Sequence, residues 1–478
     1  MKSAKTSLAS AALTGEISLV DQLVQWAELR IREHVLRPGM RMPSVRQCAV
    51  ERGVSQFTVV AAYERLVARG QVRAQRGSGF YVCAPEAAPT QTLKQPTPQH
   101  IDTAWLVRNM QSGIAPENSP GYGYLSSELF ATDLLRQALR SVAQTPSKQL
   151  MHVGLSQGYL PLRQQLQRSL SAIEIAATPE SIVLTSGSTQ SVDLLIRIFV
   201  KPGDTVIVGD PAWSAQLGAL SMHGANLVSV PYGVDGPDLD ALSSAVQRHR
   251  PSLLLLNTVL HNPTGTVLSA AAAFRILKLA EQHDFLIVED DIYADFLPAN
   301  VLATRLASLD QLRRVIYLGS FSKTLAPNLR VGFLATTPER AHQIANHKLL
   351  CALSTPEINE RIVFQVLTEG GYRKHCARLH GKLDAARELS IARLERIGLT
   401  PFIRPQAGFV AWFNAGVDTN VLAAAGLEAG YLFAPGALFS PSQLPSNWMR
   451  MNLTTSHNPV LLKWLAKTLE GMRRLGAR

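Results

Sequence analysis

Cysteine is scarce in this chain. Four residues in 478, Cys48, Cys83, Cys351 and Cys376, lie far apart and form no C-x-x-C pair. That excludes a disulfide framework and a cysteine-ligated zinc site, and fits reduced thiols in a cytoplasmic protein. Long apolar runs are missing too. No stretch approaches the eighteen or so residues a membrane-spanning helix needs. Acidic residues are outnumbered, 36 against 47 Lys+Arg, for a net charge of +11. With 46% hydrophobic and 17% charged residues the composition is globular, with enough apolar side chains for a sizeable core. The length allows two to four domains. The opening "MKSAKTSLASAAL" has an apolar part too short and too broken by Ser and Thr for a targeting peptide, and reads as a disordered tail.

The basic excess is uneven. Residues 1–85 hold 12 Lys+Arg and 6 Asp+Glu, over half of the net charge in under a fifth of the chain. A local excess of this sign points to a polyanionic partner. The same region has a clear element order. Leu23, Ala27, Ile31 and Val35 recur every four residues and predict a helix, which "RPGMRMP" terminates at Pro38-Gly39. "SVRQ", 44–47, has the form of a capping box, with Ser44 accepting from first-turn amides and Gln47 reaching back. The short helix after it stops at Gly53. Ser55 caps a third helix with Val59, Ala62, Tyr63, Leu66 and Val67 on its inner face and Gly70 as its left-handed terminator. "QVRAQ", the turn "RGSG" and "FYV" then predict a β-hairpin.

Helix, helix, tight turn, helix and hairpin is the order of a winged helix-turn-helix, whose third helix suits the major groove. The stretch "LRPGMRMPSVRQCAVERGVSQFTVVAAYERLVARGQVRAQRGSGFYV" resembles the GntR-type DNA-binding domain along nearly its whole length. The resemblance implies DNA contact by Arg46 on the second helix and by Thr58 on the recognition helix, which Ser55 opens. It also implies minor-groove contact by Arg76 and Gly77 at the wing tip. Gln56 and Phe57 depart from the Arg and Thr common at these positions. Gln reads adenine edges and an aromatic ring can touch a thymine methyl, so base preference is not transferable from other members.

"APEAAPTQTLKQPTPQH", 84–100, is rich in Pro, Ala, Thr and Gln without apolar periodicity, and reads as an extended linker. The expected division is therefore a DNA-binding domain at 19–83, a linker at 84–100 and a large domain at 101–478. In the large domain, "SIVLTSG", "DTVIVGDP", "SLLLLNTVLHNP", "FLIVEDDIY" and "RVIYLGSFSK" are Val/Ile/Leu-rich runs ending in polar or turn residues. Amphipathic stretches such as 189–200 and 270–283 lie between them. This predicts an α/β fold with a mostly parallel sheet covered on both faces. Ligands bind such sheets at the carboxyl ends of the strands.

The polar residues at those ends carry the chemistry. "SGSTQ", 186–190, joins a strand to a helix and offers amides to a phosphate. "NPTG", 262–265, sets an amide before a proline turn. "EDDIY", 289–293, puts three carboxylates and a tyrosine at the end of an apolar strand, with no nearby ligands to complete a metal site. Lys323 in "GSFSK" is placed to form a Schiff base with an aldehyde. One cofactor needs all of these. Pyridoxal 5'-phosphate takes an aldehyde-bonding lysine, a carboxylate facing its ring nitrogen, donors to its phenolic oxygen and a phosphate site.

In this order the motifs resemble the fold-type I aminotransferases over roughly residues 110–470. The resemblance implies Lys323 as the Schiff-base lysine and Asp290 as the carboxylate at the ring nitrogen. It implies Tyr293 and Asn262 as donors to the phenolic oxygen. Gly187, Ser188 and Thr189, joined by Ser320 and Arg330, match the phosphate site. Trp213 in "GDPAW" matches the aromatic stacked on the ring, and Arg450 in "MRMNL" the arginine that grips a substrate carboxylate bidentately. One position departs: Val153 stands where the family usually carries a tyrosine that reaches the neighbouring subunit's phosphate, with His152 and Tyr159 nearby.

A GntR-type reader ahead of an aminotransferase-like domain resembles the MocR subfamily of transcriptional regulators. The resemblance implies a cytoplasmic homodimer that binds an operator in double-stranded DNA. Its large domain would sense pyridoxal phosphate, or an amino-compound effector that exchanges with Lys323. An active aminotransferase carrying a DNA-binding head is the alternative that the same residues leave open.

Overall fold

The charge asymmetry and the proline-rich stretch suggest two parts, and the contacts divide the chain into two units, Met1–Pro98 and Gln99–Arg478. The computed structural model describes residues 18–33, 35–83, 101–298, 301 and 303–476. The expected N-terminal tail (residues 1–13) and the 84–100 linker lie outside the described residues.

In the first unit, α1 (Leu19–Arg32), α2 (Val45–Arg52) and α3 (Gln56–Ala68) precede a hairpin of β1 (Val72–Gln75) and β2 (Gly79–Val82). Each helix starts on a serine whose hydroxyl accepts a first-turn amide: Ser18 from Asp21, Ser44 from Gln47 and Ser55 from Thr58. Glycine in the left-handed region ends α2 at Gly53 (φ 65°), and Gly70 (φ 69°) follows α3. Leu23, Val24, Ala27, Val59, Ala62 and Leu66 bury one apolar stripe per helix, and Val72 and Val82 close the core from the hairpin. Two expectations change. The first helix ends at Arg32, so Val35 lies beyond it and is 47% exposed rather than on its inner face. Gln47 does not reach back to the cap; its amide donates to Glu51 one turn on, at 2.9 Å.

The second unit is built on an eight-stranded sheet. Its strands in chain order are β3 (Ile182–Thr185), β4 (Thr205–Asp210), β5 (Asn226–Gly233), β6 (Gly236–Pro237), β7 (Leu253–Asn257), β8 (Leu286–Asp290), β9 (Val315–Ser320) and β10 (Gly332–Ala335). Their spatial order is β3-β10-β9-β8-β7-β4-β5-β6. The five runs read from sequence are β3, β4, β7, β8 and β9. β5, β4, β7, β8 and β9 are parallel neighbours, while β10 runs antiparallel between β9 and β3. Every residue of β7 and β9 is buried, because helices cover both faces. Ile207, Leu254 and Ile287 face one apolar layer, and Val208, Leu255 and Val288 the other. A second, antiparallel sheet orders β11 (Thr400–Pro401), β12 (Val410–Asn414), β14 (Trp448–Asn452) and β13 (Ala434–Pro435) as β11-β12-β14-β13. It packs with Trp105, Leu394 and Leu465 into its own core. Among the described residues no helix is long and apolar enough to cross a membrane.

Candidate cofactor cradle and DNA-reading head

Parallel strands deliver their carboxyl ends to one edge of the sheet, and the polar residues collect there. Asp290 ends β8 and is buried. One carboxylate oxygen receives Nε2 of Gln216 at 2.5 Å, and the other receives the Ile292 amide at 3.3 Å. Burial pushes its pKa up to about 6, although Lys323 and both hydrogen bonds favour the anion. Asn257, at the end of β7, staples the neighbouring loop. Its Nδ2 donates to the Asp290 carbonyl at 2.7 Å and its Oδ1 accepts the Asn262 amide at 2.7 Å. Asn262 in turn donates Nδ2 to the Tyr293 hydroxyl at 3.1 Å.

The other two acids of "EDDIY" face away from Asp290. Glu289 accepts the Leu306 and Ala307 amides and the Thr258 hydroxyl, each at 2.8 Å. Asp291 pairs with Arg305 Nε at 2.5 Å and with the Tyr317 hydroxyl at 2.8 Å. Backbone alternation along the strand end thus splits three consecutive carboxylates among three sets of partners. Among the described residues no cluster of His, Cys, Asp and Glu is arranged to hold a metal.

Lys323 follows β9 and is buried. Its Nζ donates to the Gly123 carbonyl at 2.7 Å and lies 3.9 Å from the centroid of the Tyr124 ring. Burial first, then the positive charges of Arg450 and Arg330, lower its pKa to about 7 against the opposing pull of Asp290. A large share of this lysine is therefore the neutral, nucleophilic amine near neutral pH. The segment that meets it, Gly121–Tyr124, is absent from the motifs above. Asn452 holds it by donating to the carbonyls of Tyr122 (3.0 Å) and Tyr124 (2.7 Å), and the Gly121 carbonyl accepts from Arg450 at 2.7 Å. In sequence, "GYGY" looks like any turn; its partners lie 200 and more residues away.

Gly187 precedes the Ser188–Phe199 helix with φ 85°, and no side chain caps that helix. Its first amides are thus free for an anion. A Cβ at Gly187 would stand 2.6 Å from Arg330, whose guanidinium donates to the Ser186 carbonyl at 3.0 Å and to the Ser322 hydroxyl at 3.2 Å. Ser188 and Thr189 form the helix's first turn. Ser320 sits one step back, its hydroxyl accepting the Ser322 amide at 3.2 Å. Ser322, not singled out in the sequence, is the hydroxyl that touches Arg330.

Arg450, in β14, has no exposed surface. Its guanidinium carbon lies 5.1 Å from the Trp213 ring and 5.2 Å from that of Phe439; one terminal nitrogen reaches Asn262 Oδ1 at 3.4 Å, and Nε has no partner. Burial lowers its pKa to about 10. A desolvated guanidinium with a spare donor is suited to an organic carboxylate. Val153 is 75% exposed; beside it His152 lies 3.7 Å from Glu357, and the Tyr159 hydroxyl accepts from Arg361 at 3.3 Å.

The structure thus brings Lys323, Asp290, Tyr293, Asn262, Trp213 and Arg450 to one edge, with Arg330 and Gly187 beside them. The donor set fits pyridoxal phosphate: a buried lysine of lowered pKa, a buried carboxylate, a paired amide and phenol, and an uncapped helix beside a guanidinium.

In the first unit the marked residues face solvent. Arg46 on α2, Gln56 and Phe57 at the start of α3, and Arg76 and Gly77 in the β1–β2 turn are exposed, and Gly77 takes φ 76° there. Ser55 and Thr58 bond each other through their hydroxyls at 2.8 Å. Arg41, which the motif reading passed over, pairs across to Tyr81 and lays its guanidinium beside Gly79, adding a charge to the wing.

Fold and site define a fold-type I aminotransferase fold, of the pyridoxal-phosphate-dependent kind, preceded by a winged helix-turn-helix. The chain belongs to the family Aminotransferase class I and II, which its residues 124–469 match, and residues 19–82 match the gntR family of bacterial regulatory proteins. The cofactor of this fold and family is pyridoxal 5'-phosphate. The chain is 30% identical over 367 residues to the 2-aminoadipate transaminase of Thermus thermophilus, across 74% of this chain and 88% of that one. It is 28% identical over 480 residues to the HTH-type transcriptional regulator TauR of Rhodobacter capsulatus, across 96% and 97% of the two chains. Among solved structures, LysN, the α-aminoadipate aminotransferase of Thermus thermophilus complexed with N-(5'-phosphopyridoxyl)-L-leucine, superposes with a TM-score of 0.71 at 27% identity, covering 77% of this chain and 95% of that one. This layout, a GntR-type head on an aminotransferase domain, is that of the MocR-type regulators.

Proposed function

We propose that the chain is a DNA-binding transcriptional regulator whose large unit holds pyridoxal phosphate on Lys323 and responds to the cofactor or to an amino compound. The observation that carries this is the joint presence of an exposed basic reading head and a cradle with a buried lysine, carboxylate and arginine in one chain, aligned nearly end to end with a named regulator. When bound, the cofactor supplies an aldehyde to which Lys323 and an effector's amine are rival partners. Asp290 holds a proton at the ring nitrogen; Asn262 and Tyr293 donate to the phenolic oxygen. Gly187, Ser188, Thr189, Ser320 and Arg330 hold the phosphate, Trp213 covers the ring, and Arg450 takes the effector's carboxylate. Effector binding shifts the regulator only by its differential affinity for two states. Arg46, Ser55, Gln56, Phe57, Thr58, Arg76 and Gly77 form the DNA surface. The domains are 19–83 and 101–478, joined by 84–100, in a cytoplasmic protein.

A homodimer is supported by apolar side chains left in solvent: Met151 (82%) and Val153 (75%) on one segment and Leu350 (89%) and Leu353 (63%) on another. Val153 also lines a cleft together with Ser354 and Ile358, which follow Leu353 in the chain. A second copy across such a patch would pair two reading heads with two half-sites.

Operator affinity measured over a panel of amino compounds, with Lys323→Ala beside the parent, tests the reading. An effector response that survives the substitution would falsify it, and a response to pyridoxal phosphate alone would mark the cofactor as the signal. The intact cradle and the 30% identity to a transaminase favour one second reading, an aminotransferase with a DNA-binding head. Multiple turnovers with a keto acid, without sequence-specific DNA binding, would establish it instead.

A further inference from the structure

Behind the lysine loop lies a cavity of about 710 Å³ that none of Lys323, Asp290, Asn262, Tyr293, Trp213 or Arg450 lines. Its walls are largely apolar: Leu166, Leu170 and Ile173 on one side, Leu367 on another, and Phe321 and Phe333 from the sheet. The volume falls in the range of pockets for organic ligands, roughly 300–1,000 Å³, and far exceeds what an inorganic anion needs.

The polar groups in the wall are mostly committed to one another. Asp291 is paired with Arg305 and Tyr317. Asp295 receives the Tyr372 hydroxyl at 2.5 Å, and its carbonyl meets His380 Nε2 at 2.9 Å. Arg373 differs. It lines the cavity from the exposed side of the Gly371–Arg396 helix and makes no hydrogen bond or ion pair among the described residues. One free cation at the edge of an apolar hollow, with Asp295 bonded to Tyr372 and Asp291 held by Arg305 and Tyr317 through one oxygen while its Oδ1 is buried without a partner, favours an anion with an apolar body whose carboxylate sits at Arg373, away from Asp291.

The cavity also shares a wall with the cofactor lysine. Ser320 and Phe321 line it and precede Lys323 in the same turn. Tyr372 lines it as well, and its hydroxyl lies 2.6 Å from that of Thr324, the residue after Lys323.

We propose that this cavity is a second ligand site, for an aromatic or aliphatic carboxylate held by Arg373, and that its occupant is felt at Lys323 through Tyr372 and Thr324. It goes beyond the regulator reading, since binding here needs neither the cofactor nor an amine.

The test is calorimetry on the full chain loaded with pyridoxal phosphate. The probe is indole-3-acetate, and indole-3-acetamide is its neutral counterpart; neither carries an amine that could react with the cofactor. The expected result is saturable binding of the acetate, about tenfold or more tighter than the amide, as a charge-assisted pair predicts. Arg373→Ala should remove that preference, and Ala377→Trp, at an exposed lining position, should block both probes. Both substitutions are at the surface, so folding is not at stake. Lys323→Ala should still bind the acetate, which separates this site from the cradle. Equal affinity for the two probes, no binding, or binding that neither variant weakens overturns the proposal. A visible spectrum of the loaded protein that stays unchanged at saturation overturns the link to Lys323.

Discussion

In the cradle, Arg450 has no exposed surface and Lys323 is nearly as enclosed, whereas in the reading head Phe57 is 83% exposed and Arg46 and Arg76 extend into solvent. The same residue types do different work on either side of that line. Burial lowers the pKa of Lys323 to about 7 and that of Arg450 to about 10, and raises that of Asp290 to about 6. Low dielectric makes each charge costly alone and strong when paired, so the cradle is fixed by mutual contacts. The head leaves its cations in solvent, where they can displace counterions from a phosphate backbone.

The sharpest way to break the comparison is Lys323→Ala. Borohydride treatment of the loaded protein should label the parent at this lysine and leave the variant unlabelled, with operator binding by the unliganded head retained. Next is Gly187→Ala. A Cβ there meets Arg330 at 2.6 Å and the backbone sits at φ 85°, so the substitution should cost about 1–3 kcal/mol locally. Equilibrium titration should show weaker cofactor binding and an unchanged head; equal loss in both would mean that the two units are not independent. The third is pH dependence. Cofactor attachment requires the neutral amine, and burial lowers the Lys323 pKa to about 7. The attachment rate should therefore rise through pH 7 and level off above it, and a rise delayed until the ordinary lysine range would contradict the burial argument.

On the head, Arg46→Ala should weaken DNA binding and, for a phosphate contact, lower the salt slope by about 1 on every sequence. A loss that depends on sequence would instead mark Arg46 as a base reader. The smallest effect belongs to Phe57→Ala. On a selected operator it should cost about tenfold or less, and replacing the contacted thymine by uracil should reproduce the loss in the parent but not in the variant.

Much of this was legible in the chain. Serines before Val45 and Gln56 announce caps, and Val/Ile/Leu runs ending in "NTVLHNP" and "EDD" announce buried parallel strands with functional ends. What escaped has a common cause. The β10 strand is only four residues long and slips antiparallel between β3 and β9, and β11 and β13 have two residues each, too short for a period. Gln216, Asn257 and Ser322 support the cradle through side-chain hydrogen bonds that leave no pattern in sequence.

The sequence by itself determined the elements, their order and the residue types at the strand ends, because periodicity, capping and turn chemistry act over a few neighbours. Tertiary structure decided which of three consecutive acids faces Lys323, that Gly121–Tyr124 closes over that lysine and Arg450, and that a hollow lies behind the same loop. Those outcomes depend on burial and on partners hundreds of residues away. Dielectric and contact are properties of the packed chain, and no local pattern encodes them.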